Sequence, residues 1–318
     1  MSSRIAMRRS TALMLAIVGV VLAGSTARAQ TVLTACGNIT SAGNYALGRN
    51  ITAAGDCFIL KATNVAIDFK GKTLTGNGTG RAILDDGTAR NYAVISNGRI
   101  RNFENGIYLA DSGLATIYKM DVSGNSGGGI FINERSSTLE AVKANDNGGD
   151  GIFINGGNST LTNTETRGNG DDGMDLRGGG YAVNRCSSSD NGENGIFGED
   201  GATSVNDCEL TNNGNDGVFL ADDQNIVNNS TVSGNSDDGI ELESSYNLVS
   251  RCKVKKNGDV GIDMSDDSIN QVTASSSTSN YVGVRIFCPG TLVDVKASGN
   301  LGGDLIELVG TCTKLNAP

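Results

Sequence analysis

Apolar and polar positions recur along this chain with a fixed period. Glycine falls at 129, 151, 173, 195, 217, 239, 261 and 283, every step being 22 residues, and Gly106 stands 23 before Gly129. Each of these glycines is followed by Ile, Met or Val, and usually by Ile or Leu two places further on. An asparagine precedes the glycine at a set distance, at Asn125, Asn147, Asn169, Asn191, Asn213, Asn235 and Asn257. Inside one unit, "GIFI", "STLTN" and "TETR" alternate apolar with polar residues, the period of two expected of strands. The spacing predicts a solenoid whose coil is three short strands joined by turns.

Other solenoids fit less well. A leucine-rich repeat needs leucine at most core positions, whereas these units are rich in Gly, Asn, Ser and Asp, which are poor helix formers. A hexapeptide helix would repeat every six residues, and calcium-binding nonapeptide rolls need paired glycines every nine. In stacked coils, strands ~4.8 Å apart place equivalent residues on top of one another. The asparagine column then reads as a side-chain ladder satisfying backbone groups at a turn. Cys186, Cys208 and Cys252 share one column with Ser230, and are expected as small, reduced, inward-facing core residues.

The stretches "NVAIDFKGKTLTGNG" and "VISNGRIRNFENGIYL", together with the 22-residue unit, resemble the right-handed parallel β-helix proteins of the pectin-lyase-like superfamily, over roughly Val65 to Asp304. The resemblance implies an all-β, right-handed parallel β-helix, a three-sheet β-solenoid with terminal caps. The expected division is a signal peptide at 1–29, an N-terminal cap at 30–64, a parallel β-helix at 65–286, and the last coil with a C-terminal cap at 287–318, with about eleven coils in all. The caps are expected to be stapled by Cys36–Cys57 and Cys288–Cys312. Superfamily members include pectate and alginate lyases, polygalacturonases and mannuronan epimerases, so the resemblance implies a polysaccharide partner.

Composition refines this picture. Arg4, Arg8 and Arg9 precede an apolar run from Ala12 to Ala23, and "ARAQ" offers Ala27 and Ala29 before a cleavage point at Gln30. Sec export to the periplasm or beyond is expected, since "RRSTAL" lacks the apolar residue a twin-arginine signal places after its pair. The whole chain has 25 basic and 35 acidic residues. Loss of residues 1–29 removes four arginines and no acid, leaving 21 against 35 and a net charge of −14. That charge argues against nucleic acid or an anionic membrane surface as partner. With no histidine in the chain and no CxxC pair, zinc and copper are poor candidates.

Candidate chemistry lies on the outward residue of each "G-I-x-I" strand. That column reads Tyr108, Phe131, Phe153, Asp175, Phe197, Phe219, Glu241, Asp263, Arg285. A contiguous ring patch asks for a ligand or a cover, and Tyr108, Phe131, Phe153, Phe197 and Phe219 are the candidate glycan contacts. Arg177 follows Asp175 on the same strand, and Glu199 takes its column one coil later. Glu241 and Asp263 are stacked carboxylates ~5 Å apart at the backbone, with Glu243 nearby. Such closeness raises one pKa, or suits a bridging Ca²⁺, although no cofactor is required. A solvated acidic face is the plainer reading of the same residues.

Three functions remain open at this stage: a polysaccharide binder, a lyase or hydrolase, and a structural or adhesive module. An enzyme would use Asp175, Arg177, Glu241 and Asp263; the missing histidine removes every superfamily mechanism that depends on one. A calcium-dependent lyase with an arginine base stays compatible, and Arg177 beside Asp175 is the best pair for it.

Overall fold

The computed structural model describes residues 30–87, 92–110, 114–133, 135–264 and 269–318. The export signal expected at 1–29 lies outside these residues. Among them every regular element is a β-strand and every pairing is parallel. Thirteen strands form one sheet, in coil order, and the strands of the other two faces form a second network of 24. The two faces are joined where Ala93–Arg101 and Ala115–Val122 run on across the corner between them. The result is a parallel β-helix of about twelve turns, one more than the repeat count implied.

Register follows the sequence period to the residue. Ile107, Ile130, Ile152, Met174, Ile196, Val218, Ile240, Ile262 and Val284 stack in one column through the thirteen-stranded sheet. All are buried and line a single core that runs the length of the coil. Apolar burial of this kind is the main stabilising force. Each coil turns its corners with single left-handed residues. Ala141, Asn163, Arg185, Asp207, Asn229 and Arg251 form one such column, with φ between 49 and 57. A left-handed L-residue is disfavoured by roughly 1–2 kcal/mol, so the surrounding sheet hydrogen bonds hold these corners.

The asparagine ladder is present. Asn169 donates through Nδ2 to Asn191 Oδ1 at 2.9 Å, and that oxygen also accepts the backbone N–H of Asn169 at 3.1 Å. The same pair of bonds links Asn125 to Asn147, Asn191 to Asn213 and Asn213 to Asn235. The repeating glycine is fixed by this ladder. A Cβ on Gly173 would collide with Ser188 Oγ, the carbonyl of Gly195 and the ladder amide of Asn191.

Residues 30–64, expected as a cap, contribute strands to the same sheets: Thr31–Leu33 pairs with Gly43–Leu47, and Gly37–Ile39 with Phe58–Leu60. The disulfides Cys36–Cys57 and Cys288–Cys312 both form, with Cα atoms 4.5 and 5.0 Å apart. One cysteine expectation is overturned. Cys186 and Cys208 are bonded to each other, their Cα atoms 4.6 Å apart, while Cys252 remains a buried free thiol. The parallel stack brings like columns to one strand spacing, which is within disulfide reach. Ser230 separates Cys252 from the pair.

Candidate functional site

The outward column of the thirteen-stranded sheet assembles as the repeat predicts: Tyr108, Phe131, Phe153, Asp175, Phe197, Phe219, Glu241, Asp263 and Arg285 follow one another in register. Tyr108, Phe131 and Phe153 stack with centroids 4.5 and 4.9 Å apart, and Phe197 and Phe219 stack at 5.4 Å. The ring planes are nearly parallel, within 9°. Their faces therefore cover one another and each ring is half-buried. A ligand would meet a ridge of ring edges rather than open faces. Arg81 closes the upper end, 3.8 Å over Tyr108.

Asp175 sits between the two ring stacks and is not the solvated carboxylate that an outward position implies. It is 3% exposed, and Asp263 is 1% exposed. The cause is the ladder: a short aspartate one strand spacing from bulky neighbours lies below their outer surface. Arg177 then covers Asp175, donating from Nε to both carboxylate oxygens at 3.1 Å and from Nη2 at 2.9 Å. Arg177 itself remains exposed. It reaches Glu199 at 3.6 Å and lies within 6 Å of both flanking rings, 5.3 Å from the Phe153 centroid and 5.9 Å from that of Phe197. The hydrogen bonds to Asp175 raise the arginine pKa further. Asp263 is likewise ion-paired to Arg285 on the next coil. Glu241 is half-buried, and Glu199 is exposed.

A second column of carboxylates lies in the turn that leads into this sheet. Asp150, Asp172, Asp216 and Asp238 each immediately precede a repeating glycine, with Asn194 in the middle. Each accepts the backbone N–H of the equivalent residue one coil on, at 2.7–3.1 Å. Burial pushes Asp150 and Asp216 up to about 6, and Asp172 and Asp238 up to about 7. Burial also takes Glu241 to about 8, helped by Asp216, Asp238, Asp263 and Glu243. The acid-before-glycine spacing was visible in the sequence. Its inward burial was not, because the same residues read equally well as a solvated turn. The face is therefore ridged and only partly solvated, with its acids drawn into the wall.

The family described as "Right handed beta helix region" matches residues 81–226 and 218–301. The chain belongs to that family, the parallel β-helix proteins of the pectin-lyase-like type. Among solved structures it is similar to the A-module of the Azotobacter vinelandii mannuronan C-5 epimerase AlgE6, at 14% identity and a TM-score of 0.59, covering 90% of this chain and 88% of that one. The AlgE4 A-module of the same organism is similar at 13% identity and 0.51, covering 91% and 89%. A double mutant of the periplasmic alginate epimerase AlgG is similar at 16% identity and 0.54, covering 85% and 78%. These likenesses concern the fold. No curated protein sequence matches the chain.

Proposed function

We propose that this is an exported polysaccharide-binding β-helix whose glycan lies along the outward column of the thirteen-stranded sheet. The observation that carries the reading is Arg177. It is an exposed guanidinium held in place by a buried aspartate, between two stacks of aromatic rings. A sugar chain presents apolar C–H edges beside hydroxyl or carboxylate oxygens, and the ridge offers apolar ring edges on either side of a fixed donor. Structural neighbours named as mannuronan and alginate epimerases support the substrate class. Three disulfides suit an oxidising compartment. Among the described residues no helix is long and apolar enough to cross a membrane.

A lyase or hydrolase reading has one observation in its favour, the protonatable Glu241 in a half-buried position. Arg177 suits binding better than base chemistry, because its carboxylate partners make it hold its proton more tightly. Affinity electrophoresis against polymannuronate, polyguluronate, polygalacturonate and a neutral glucan separates the readings. Retention by one of the uronates, lost in Arg177→Ala and weakened in Phe153→Ala and Phe197→Ala, supports the proposal. Equal mobility of the wild type in every gel sinks it. Appearance of unsaturated ultraviolet-absorbing product, abolished by Glu241→Gln, turns the assignment to a lyase.

A further inference from the structure

Charge is unevenly paired along the third face, formed by the last strand of each coil before the turn into the thirteen-stranded sheet. In its earlier coils cations meet acids: Arg99 lies 3.9 Å from Asp121, Arg167 lies 3.0 Å from Asp190, and Lys143 is paired with Glu165. Later on the same face the pairing stops. Arg251, Lys253, Lys255 and Lys256 crowd four cations into 251–256, and Lys296 follows in the column of Lys253 two coils on. All five are exposed. Among the described residues none of them makes an ion pair.

The strand positions beside these lysines hold hydroxyls. Lys253 lies between Thr231 and Ser276, Lys255 between Ser233 and Thr278, and Lys296 beside Ser276. Arg251 donates to Asn228 Oδ1 at 3.0 and 3.2 Å, a neutral partner. With 35 acids against 25 bases in the chain, an acid at one of these positions would be the ordinary way to relieve the repulsion between cations. Lysines set among hydroxyls instead offer an oxyanion donors on every side. The stripe from Arg251 to Lys256 runs for ~17 Å along its strand, at about 3.3 Å per residue. Its end residues sit at corners, with φ of 55 and 57, so the cations follow the bend of the coil rather than one plane. A flexible chain can follow that bend, and a flat membrane surface cannot. Tyr281, 54% exposed, stands one coil on, three residues past Thr278, whose carbonyl accepts the backbone N–H of Lys256. It adds a ring against which a sugar can pack.

We propose that this stripe, with Lys296 and Tyr281, is a second glycan surface, and that it takes a polysaccharide bearing carboxylates. The class of polymer rests on the function proposed above; the place rests on the unpaired lysines and their hydroxyl neighbours. The ridge can take neutral sugars, because Arg177, its exposed donor, is flanked by rings. The stripe selects for charge, because exposed ammonium groups act as hydrated point charges with little demand on shape. A long acidic chain that reaches both surfaces binds through their combined strength, so both sets of residues matter to its retention.

The test measures binding to polymannuronate, polygalacturonate and a neutral glucan over a range of sodium chloride concentrations, with circular dichroism confirming that each variant is folded. Wild-type affinity for at least one polyuronate should fall as salt rises. Lys253→Ser combined with Lys255→Ser should weaken that binding by about tenfold and flatten its salt dependence, as expected for two exposed charge contacts. Lys296→Ser, a single exposed change, should weaken it by about threefold, and keeps the test decisive if the double variant fails to fold. Lys143→Ser combined with Arg167→Ser removes two cations from paired positions of the same face, and should change binding by less than about twofold. Equal weakening by the two double variants would show an effect of net charge alone and overturn the proposal. Unchanged polyuronate binding in the Lys253 and Lys255 variant would overturn it too. If that variant instead lost binding to phosphatidylglycerol vesicles, or lost a salt-sensitive self-association, the stripe would belong to a membrane or to a second copy of the chain. Wild-type binding to the glucan alone overturns the stripe and leaves the ridge, whereas binding to no polymer overturns both. Full polyuronate binding by Arg177→Ala, with loss in the lysine variants, removes the ridge and leaves the stripe.

Discussion

Arg177 and Asp175 show how a single ion pair can be both structural and accessible. The aspartate is walled in by Phe153 and Phe197, while the guanidinium that balances it is exposed. Arg177→Ala would leave a buried carboxylate without its cation. The expected loss is roughly 1–3 kcal/mol near neutral pH, below that of a fully buried pair because Arg177 is half in solvent. Asp175 already has a raised pKa, so protonation relieves the variant, and its deficit against the wild type should narrow from pH 8 to pH 5. A urea titration at the two pH values checks this; a deficit independent of pH would argue against a charge effect. The cysteines give a second residue-scale prediction. Without reductant, alkylation should label nothing in the native protein and one thiol, Cys252, after unfolding. Burial pushes that thiol up to about 11, which removes the reactive thiolate at neutral pH. Three labelled thiols would show Cys186 and Cys208 to be unlinked.

At the scale of the element, each coil is held by strand hydrogen bonds and by ladders that run across coils. Asn213 Oδ1 accepts the backbone N–H of Asn191 at 3.2 Å and its side-chain amide at 2.9 Å, both buried. Asn213→Ala leaves two buried donors without an acceptor, and should cost about 2–4 kcal/mol. Gly173→Val should be worse, because its side chain meets backbone carbonyl and ladder amide that cannot retreat. Thermal melts of the two variants give the order directly, and a valine variant as stable as the wild type would mean the glycine column has been misread.

The whole molecule is an array of near-identical coils, so its stability is expected to be modular and pH-sensitive. Deleting Gly217–Asp238 removes one unit and joins Asp216 to Gly239, where it takes over the place of Asp238 in the turn ladder. This shorter protein should fold, whereas an eleven-residue deletion should not, since it sets strands against corners. Circular dichroism and a melt on each distinguish them. The pH dependence comes from Asp150, Asp172, Asp216, Asp238 and Glu241, whose folded values of about 6, 7, 6, 7 and 8 lie above those of free carboxyls. Their contribution is complete below the unfolded value near 4, and is lost as pH rises through 6 to 8. In EDTA the melting temperature should be higher at pH 5 than at pH 8, by about 5 °C or more. A flat profile, or one that rises with pH, would contradict the burial of these acids.

How much of this was legible depends on what repeats. The 22-residue period determined the parallel β-helix, the strand register and the identity of the outward column, because a stack copies any periodic residue into a line. The asparagine ladder was readable for the same reason, and the outer disulfides from the grouping of their cysteines near the two ends of the mature chain. The single-residue corners were not: Ala141, Arg185 and Arg251 carry no turn signature, and their left-handed backbone is imposed by the sheets on either side. Nor was the burial of Asp175 and Asp263, since alternation tells which way a side chain points and not how tall its neighbours are. The Cys186–Cys208 bond depends likewise on what faces what across coils. Periodicity sets direction and register; depth, pairing and charge balance arise only when the coils are stacked.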